Sequence, residues 1–195
     1  RNIRALLVIV QPGMEGGNAF ADILSGKVNP SGKLADTWAY KYEDYPSSEK
    51  FSHNNGNVET ELYDEGIYVG YRYFDTFEVP VRYGFGYGLS YTDFEITGCA
   101  LKAVSAEKIR VTATVRNTGN VSGKEVVQVY ASLPGGILEK EAHRLAAYAK
   151  TNELKPGEAQ EVTMEVKMDG LTSYDEKRAA WILESGFYGI WVGNS

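Results

Sequence analysis

The chain has 195 residues, of which 43% are apolar, 12% aromatic and 24% charged, with a formal net charge of −6. That length buries a sizeable core as one large or two small domains, and the aromatic content excludes a disordered chain. Residues 1–90 carry 8 basic and 12 acidic side chains and residues 91–195 carry 12 and 14; without a basic stripe, nucleic acid and anionic membrane surfaces are not expected partners.

Cys99 is the only cysteine, which excludes an intrachain disulfide and is compatible with a reducing cytoplasm. His53 and His143 lie far apart, and no Cys/His cluster reads as a zinc site, so neither a metal nor another cofactor is expected. The apolar run at residues 5–10 is too short to span a bilayer. It starts almost directly behind Arg1, with no initiator Met, and so reads as a piece of a longer protein. The missing leader then says little about location. A cytoplasmic protein of bacterial source is the expectation.

Residues 3–11 read as a strand buried on both faces, because Ala5, Leu6, Leu7, Val8, Ile9 and Val10 are continuously apolar. Pro12-Gly13 ends it. A short helix is expected through about Ser25, with Ala19, Phe20, Ile23 and Leu24 on one face and Gly26 as a left-handed C-terminal cap. Asn29-Pro30-Ser31-Gly32 is a turn, followed by a second short strand over residues 33–38. One such α/β unit cannot close a core, so partner strands are expected upstream. Residues 39–62 are mostly polar, lack periodicity and read as a long loop.

Ten aromatic rings fall between Tyr63 and Tyr91, with Gly66, Gly70, Gly84, Gly86 and Gly88 among them. This density reads first as an aromatic strap packing two domains together, and second as a carbohydrate platform of exposed rings. From Tyr91 onward the pattern is all-β. Ile109, Val111, Ala113 and Val115 alternate with polar residues, as do Val162, Met164, Val166 and Met168. Val127, Val129 and Ala131 form another strand, and residues 181–183 and 187–192 read as a closing hairpin. About seven short strands over some hundred residues indicate an antiparallel sandwich of the fibronectin type III or immunoglobulin kind. The fold class is therefore mainly β: a fibronectin III-like antiparallel β-sandwich over residues 91–195, preceded by a partial α/β-sandwich segment over residues 1–90.

No self-contained catalytic constellation is visible. Gly13-Met14-Glu15-Gly16-Gly17 lacks the Lys-Ser/Thr of a phosphate loop, and no Gly-x-Ser-x-Gly elbow occurs. Cys99 reads as a small buried hydrophobe in the first sandwich strand. His53 reads as a solvated loop side chain and His143 as structural. Asp64 and Glu65 adjoin, with Asp64 placed to hydrogen-bond the turn at Gly66, but nothing shows the two carboxylates converging.

The motifs together resemble a known family. Glu15-Gly16-Gly17-Asn18-Ala19, Asp22-Ile23-Leu24-Ser25-Gly26 and Asn29-Pro30-Ser31-Gly32-Lys33-Leu34 are similar to the last α/β repeat of glycoside hydrolase family 3. Tyr63-Asp64-Glu65-Gly66-Ile67-Tyr68-Val69-Gly70-Tyr71-Arg72-Tyr73-Phe74-Asp75 resembles that family's aromatic strap. Tyr83-Gly84-Phe85-Gly86-Tyr87-Gly88-Leu89-Ser90-Tyr91 resembles the entry to its fibronectin III-like domain. Val115-Arg116-Asn117-Thr118-Gly119, Leu154-Lys155-Pro156-Gly157-Glu158 and Trp191-Val192-Gly193-Asn194-Ser195 are similar to the remainder. Ala35, Ala39 and Ala147 depart from the pattern, at positions that affect local turns.

The resemblance implies a retaining β-glycosidase, foremost a β-glucosidase, with two carboxyl groups about 5–5.5 Å apart. It places the nucleophile in a (β/α)8 barrel and the acid/base earlier in the α/β sandwich, so neither catalytic residue transfers onto this sequence. The implied partners are that barrel, the rest of the α/β sandwich and a β-glucoside or oligosaccharide substrate. Glu15 is the one carboxylate singled out as a candidate for substrate contact. It follows an apolar strand, and parallel-sheet sites lie beyond strand carboxyl ends. Its structural alternative is to cap the following helix. A carbohydrate-binding module, or an interaction module whose sandwich edges make homo-oligomer contacts, is the competing reading for the whole chain.

Overall fold

The computed structural model describes residues 3–195. Its elements are helix α1 (Gly16–Leu24), strand β1 (Trp38–Ala39), helix α2 (Tyr71–Thr76), strand β2 (Val81–Tyr83), and strands β3 (Phe94–Ser105), β4 (Lys108–Asn117), β5 (Val126–Ser132), β6 (Arg144–Lys150), β7 (Ala159–Lys167), β8 (Ser173–Asp175), β9 (Ala180–Ile182) and β10 (Gly189–Gly193). The larger sheets are antiparallel, with orders β3-β4-β7 and β10-β5-β6.

Period-two patterning produces the sandwich. Val111, Ala113 and Val115 of β4 are fully buried, as are Val127, Val129 and Ala131 of β5. Cross-strand register places Val111 opposite Met164 and Ala113 opposite Val162, so β7 contributes to the same face. Leu154 and Leu171 close the core from the connecting loops. Each fully buried aliphatic side chain contributes on the order of 1.5–3 kcal/mol, so this cluster supplies the main apolar driving force of the chain.

Several expected elements differ. Residues 3–11 form no strand; Ile3, Leu6 and Val10 are exposed, with Val10 at 85%. A strand needs a pairing neighbour for its backbone groups, and none lies alongside among the described residues. The expected strand over residues 33–38 shrinks to Trp38 and Ala39, which pair with β2. The aromatic-rich segment contains a short helix, α2, that its composition does not announce. The closing hairpin is also different: β9 pairs with β8, whereas β10 pairs with β5.

Cys99 is exposed rather than buried. Alternation from the half-buried Phe94 and Ile96 already puts Glu95, Thr97 and Cys99 on the outer face. Thr97 pairs with Thr114 and Ala100 with Thr112, so two residues of β3 face one of β4, and Gly98 takes a φ of +61° there. The bulge does not turn Cys99 inward, and β3 stays exposed from Thr97 to its end at Ser105.

Helix α1 and Gly26 (φ +76°) match their sequence expectations. No helix among the described residues is long and apolar enough to cross a membrane.

Candidate functional site at the junction of strap and sandwich

Two turn motifs distant in sequence bind each other. Asn29 Oδ1 accepts from Ser90 Oγ at 2.9 Å and from the Tyr91 amide at 2.8 Å, while its Nδ2 donates to the Ser122 carbonyl at 3.0 Å. The Leu34 amide donates to the Tyr87 carbonyl at 2.8 Å, and the Gly86 amide donates to the Leu34 carbonyl at 2.8 Å. Lys33 forms a 2.7 Å ion pair with Glu125, whose side chain is 6% exposed. The Asn29-Pro30-Ser31-Gly32-Lys33-Leu34 turn thus joins the entry segment to the sandwich.

Gly88 is required for this approach. A Cβ at Gly88 would lie 2.4 Å from the backbone oxygen of Gly32. Backbone cannot step aside as a flexible side chain can, and such overpacking costs about 1–3 kcal/mol. Gly88→Ala is therefore expected to lower the unfolding midpoint by about 5 °C for a chain of this size, measured by calorimetry. An unchanged midpoint would remove the close approach from the account.

The strap docks through polar contacts as well as rings. The Tyr71 hydroxyl accepts from the Leu145 amide at 2.8 Å, and Thr76 Oγ1 accepts from the Ala142 amide at 2.9 Å. Tyr68 donates to Glu139 at 3.0 Å. Glu141 is 2% exposed. It receives a bidentate pair from Arg144, at 2.7 and 3.0 Å, and a longer ion pair from Arg72 at 3.5 Å. Phe74 is buried edge-on to Tyr45, with ring centroids 5.5 Å apart. The polar contacts attach the aromatic-rich segment to residues 139–145 at the start of β6.

Behind the strap lies a cavity of about 260 Å³. Tyr71 and Asp75 reach it from α2, Val81 from β2, Gly84 and Phe85 from the entry segment, Tyr130 from β5 and Trp191 from β10. Thr37 and His143 also line it. Tyr71 lies 5.1 Å from Phe85 and 5.7 Å from Tyr130, centroid to centroid. Burial raises the Asp75 carboxyl above the ordinary aspartate range, partly offset by His143. Burial likewise holds the Tyr130 phenol well above its usual range.

The residues singled out from sequence are distributed differently. Glu15 occupies the N-cap position of α1 but makes no capping hydrogen bond; its exposed carboxylate accepts from Asn18 Nδ2 at 2.6 Å. Asp64 pairs with Lys50 rather than with the turn at Gly66, and that hydrogen bond holds its carboxyl below the usual range. His53 Nδ1 lies 2.8 Å from the Asn57 carbonyl in an exposed loop. His143 packs edge-on to Trp191 in the cavity wall, with centroids 5.7 Å apart. Asp75 and Tyr130 were not singled out. Their only sequence signal was membership in the strap and in an alternating strand.

The Glycosyl hydrolase family 3 C-terminal domain profile matches residues 1–71, and the Fibronectin type III-like domain profile matches residues 125–195. The chain belongs to glycoside hydrolase family 3. This family 3 chain is 47% identical to Beta-glucosidase A of Butyrivibrio fibrisolvens, over 99% of its own length and 25% of that protein's. It is 40% identical to an Exo-alpha-(1->6)-L-arabinopyranosidase of Bifidobacterium breve, over 100% of its length and 25% of that protein's. Among solved structures it resembles beta-glucosidase 3B from Thermotoga neapolitana in complex with alpha-D-glucose, with a TM-score of 0.89 and 42% identity. That match covers 96% of this chain and 26% of the other. The family 3 chain thus spans about a quarter of the length of these three relatives.

Proposed function

We propose that this chain is the supporting portion of a retaining β-glycosidase that removes terminal β-D-glucosyl residues, and that both catalytic carboxylates lie outside it. In this reading the α/β segment, residues 1–90, packs against the rest of an α/β sandwich and a (β/α)8 barrel. The sandwich of residues 91–195 braces them through the strap. The observation that carries the reading is the exposed apolar run: Ile3 is 78% exposed, Leu6 64% and Val10 85%. Contiguous apolar surface of this kind marks an interface, and a buried parallel strand is what such a run is suited to become. The Butyrivibrio and Thermotoga relatives, both β-glucosidases by name, support the choice of sugar.

Retaining hydrolysis needs two carboxyl groups about 5–5.5 Å apart. In the cavity Asp75 is joined by His143, not by a second acidic side chain. Glu15, exposed beyond the apolar run, belongs in this reading to the surface turned toward the barrel. The expected result is no p-nitrophenol release from p-nitrophenyl β-D-glucopyranoside by the pure 195-residue chain, against clear release by the complete enzyme. Turnover by the chain alone would overturn the proposal, and so would failure of the complete enzyme to cleave the glucoside.

A further inference from the structure

The junction cavity carries polar groups that the packing of the strap does not use. The Asp75 carboxyl takes no hydrogen bond from the described residues and lines the cavity together with His143. Thr37 is 1% exposed, and its Oγ1 has no hydrogen-bond partner. The Tyr71 oxygen accepts from the Leu145 amide, which leaves its own O–H proton to donate elsewhere. Tyr130 donates to Gln128 Oε1 at 2.6 Å, which leaves lone pairs on its oxygen. The cavity therefore offers donors and acceptors together, set between the faces and edges of four rings.

We propose that this cavity is a binding site for one neutral, hydroxyl-rich ring, a monosaccharide or a cyclic polyol of that size. Its volume of about 260 Å³ lies just under the range of drug-sized pockets, roughly 300–1,000 Å³. That admits one ring and excludes an oligosaccharide. A purely apolar ligand would leave the Asp75 carboxylate unpaired in a partly desolvated place, which is costly. An ammonium ion would gain Asp75 and the ring faces, but it would give the Tyr71 O–H nothing to donate to. A sugar ring meets every demand at once. Its C–H faces lie against Tyr71, Phe85 and Trp191, and its hydroxyls both donate to Asp75 and accept from Tyr71.

The site draws residues from the strap, the entry segment and the sandwich. An occupied cavity thus ties these segments together more firmly than an empty one, by the linkage between binding and stability. The proposal takes only its choice of probe from the glycosidase reading. Its readout involves no hydrolysis, so the two stand or fall separately.

The test is a titration of the 195-residue chain with methyl β-D-glucopyranoside, following the Trp191 indole N–H by NMR, with choline as the cationic comparison. Saturable shifts with a dissociation constant on the order of 10 mM are expected. Gly84→Leu serves as the blocking variant, because a Cβ there meets nothing within 4 Å and the backbone is not left-handed. It should weaken the sugar at least tenfold without disturbing the fold. Asp75→Asn keeps the shape, removes the charge and should weaken the sugar severalfold, which decides the matter if Gly84→Leu does not fold. Shifts that fail to saturate by about 0.2 M sugar, equal affinity in Asp75→Asn and in a folded Gly84→Leu, or tighter binding of choline than of the glucoside would each overturn the proposal.

Discussion

Replacing Arg144 by Ala is expected to cost about 3–5 kcal/mol of stability, the range for breaking one side of a buried ion pair. Glu141 is 2% exposed and takes both of its short side-chain bonds from this guanidinium, at 2.7 and 3.0 Å. Arg144 also donates to the carbonyls of Thr172, at 2.6 Å, and Gly170, at 3.3 Å. The substitution thus strands a carboxylate and two acceptors together. Arg72 remains, but at 3.5 Å and on a more exposed stem it neutralises less. For a chain of 150–250 residues the loss corresponds to a midpoint about 10 °C lower.

The pH dependence gives this prediction a second readout. Burial pushes the Glu141 carboxyl upward, but the bonds from Arg144 and the backbone, with the charges of Arg144 and Arg72, outweigh it and hold the group below the ordinary value of 4.5. A group lowered on folding stabilises the native state above its unfolded value, and that stability is lost as pH falls through the lowered one. Native stability should therefore fall below about pH 4.5 partly through this site. In Arg144→Ala only the backbone bond and the Arg72 charge still oppose burial, so that part of the slope should flatten. Denaturant titrations from pH 3 to 7 measure both. A variant with native stability and an unchanged acid limb would show that Arg144 does not hold Glu141.

What the sequence made legible follows the range of the interactions involved. Alternation in β4 foretold the burial of Val111, Ala113 and Val115, because period two and one covered face are local facts. The apolar run at residues 5–10 carries an equally strong pattern, yet forms no strand, because pairing depends on a neighbour and not on the run itself. Cys99 was expected to be buried from its residue type, whereas its parity with Glu95 and Thr97 on β3 puts it on the outer face. The two turn motifs around Asn29 and Ser90 were each visible as turns, but their mutual hydrogen bonds span 61 and 62 residues. The cavity is the extreme case. Thr37, Asp75, Tyr130 and Trp191 come from four separated segments, and no spacing rule joins them. Glu15 drew notice because it follows an apolar run near glycines, which is a local signal, and it lies outside that cavity.

Asn117→Ala should be the other severe substitution, costing on the order of 3 kcal/mol or more. Asn117 ends β4 and is fully buried. Its Nδ2 donates to the carbonyls of Val121 and Leu154, each at 2.8 Å. Its Oδ1 accepts from Thr92 Oγ1 at 2.7 Å and from the Gly119 amide at 3.1 Å. One amide thus satisfies four groups from the start of the sandwich, the turn after β4 and the loop before β7. Removing it leaves buried donors and acceptors unpaired, and each carries a desolvation penalty of about 1–3 kcal/mol unless water enters. Asn117→Asp separates polarity from geometry. It keeps the shape and both acceptor contacts, but it replaces two donors with a negative oxygen facing two carbonyls, so near neutral pH it should be no better tolerated than Ala. Thermal unfolding ranks the variants, and amide exchange at Gly119 reports on the turn directly. If Asn117→Asp kept native stability and Gly119 stayed protected in Asn117→Ala, the four-way bridge would not be what closes this end of the sandwich.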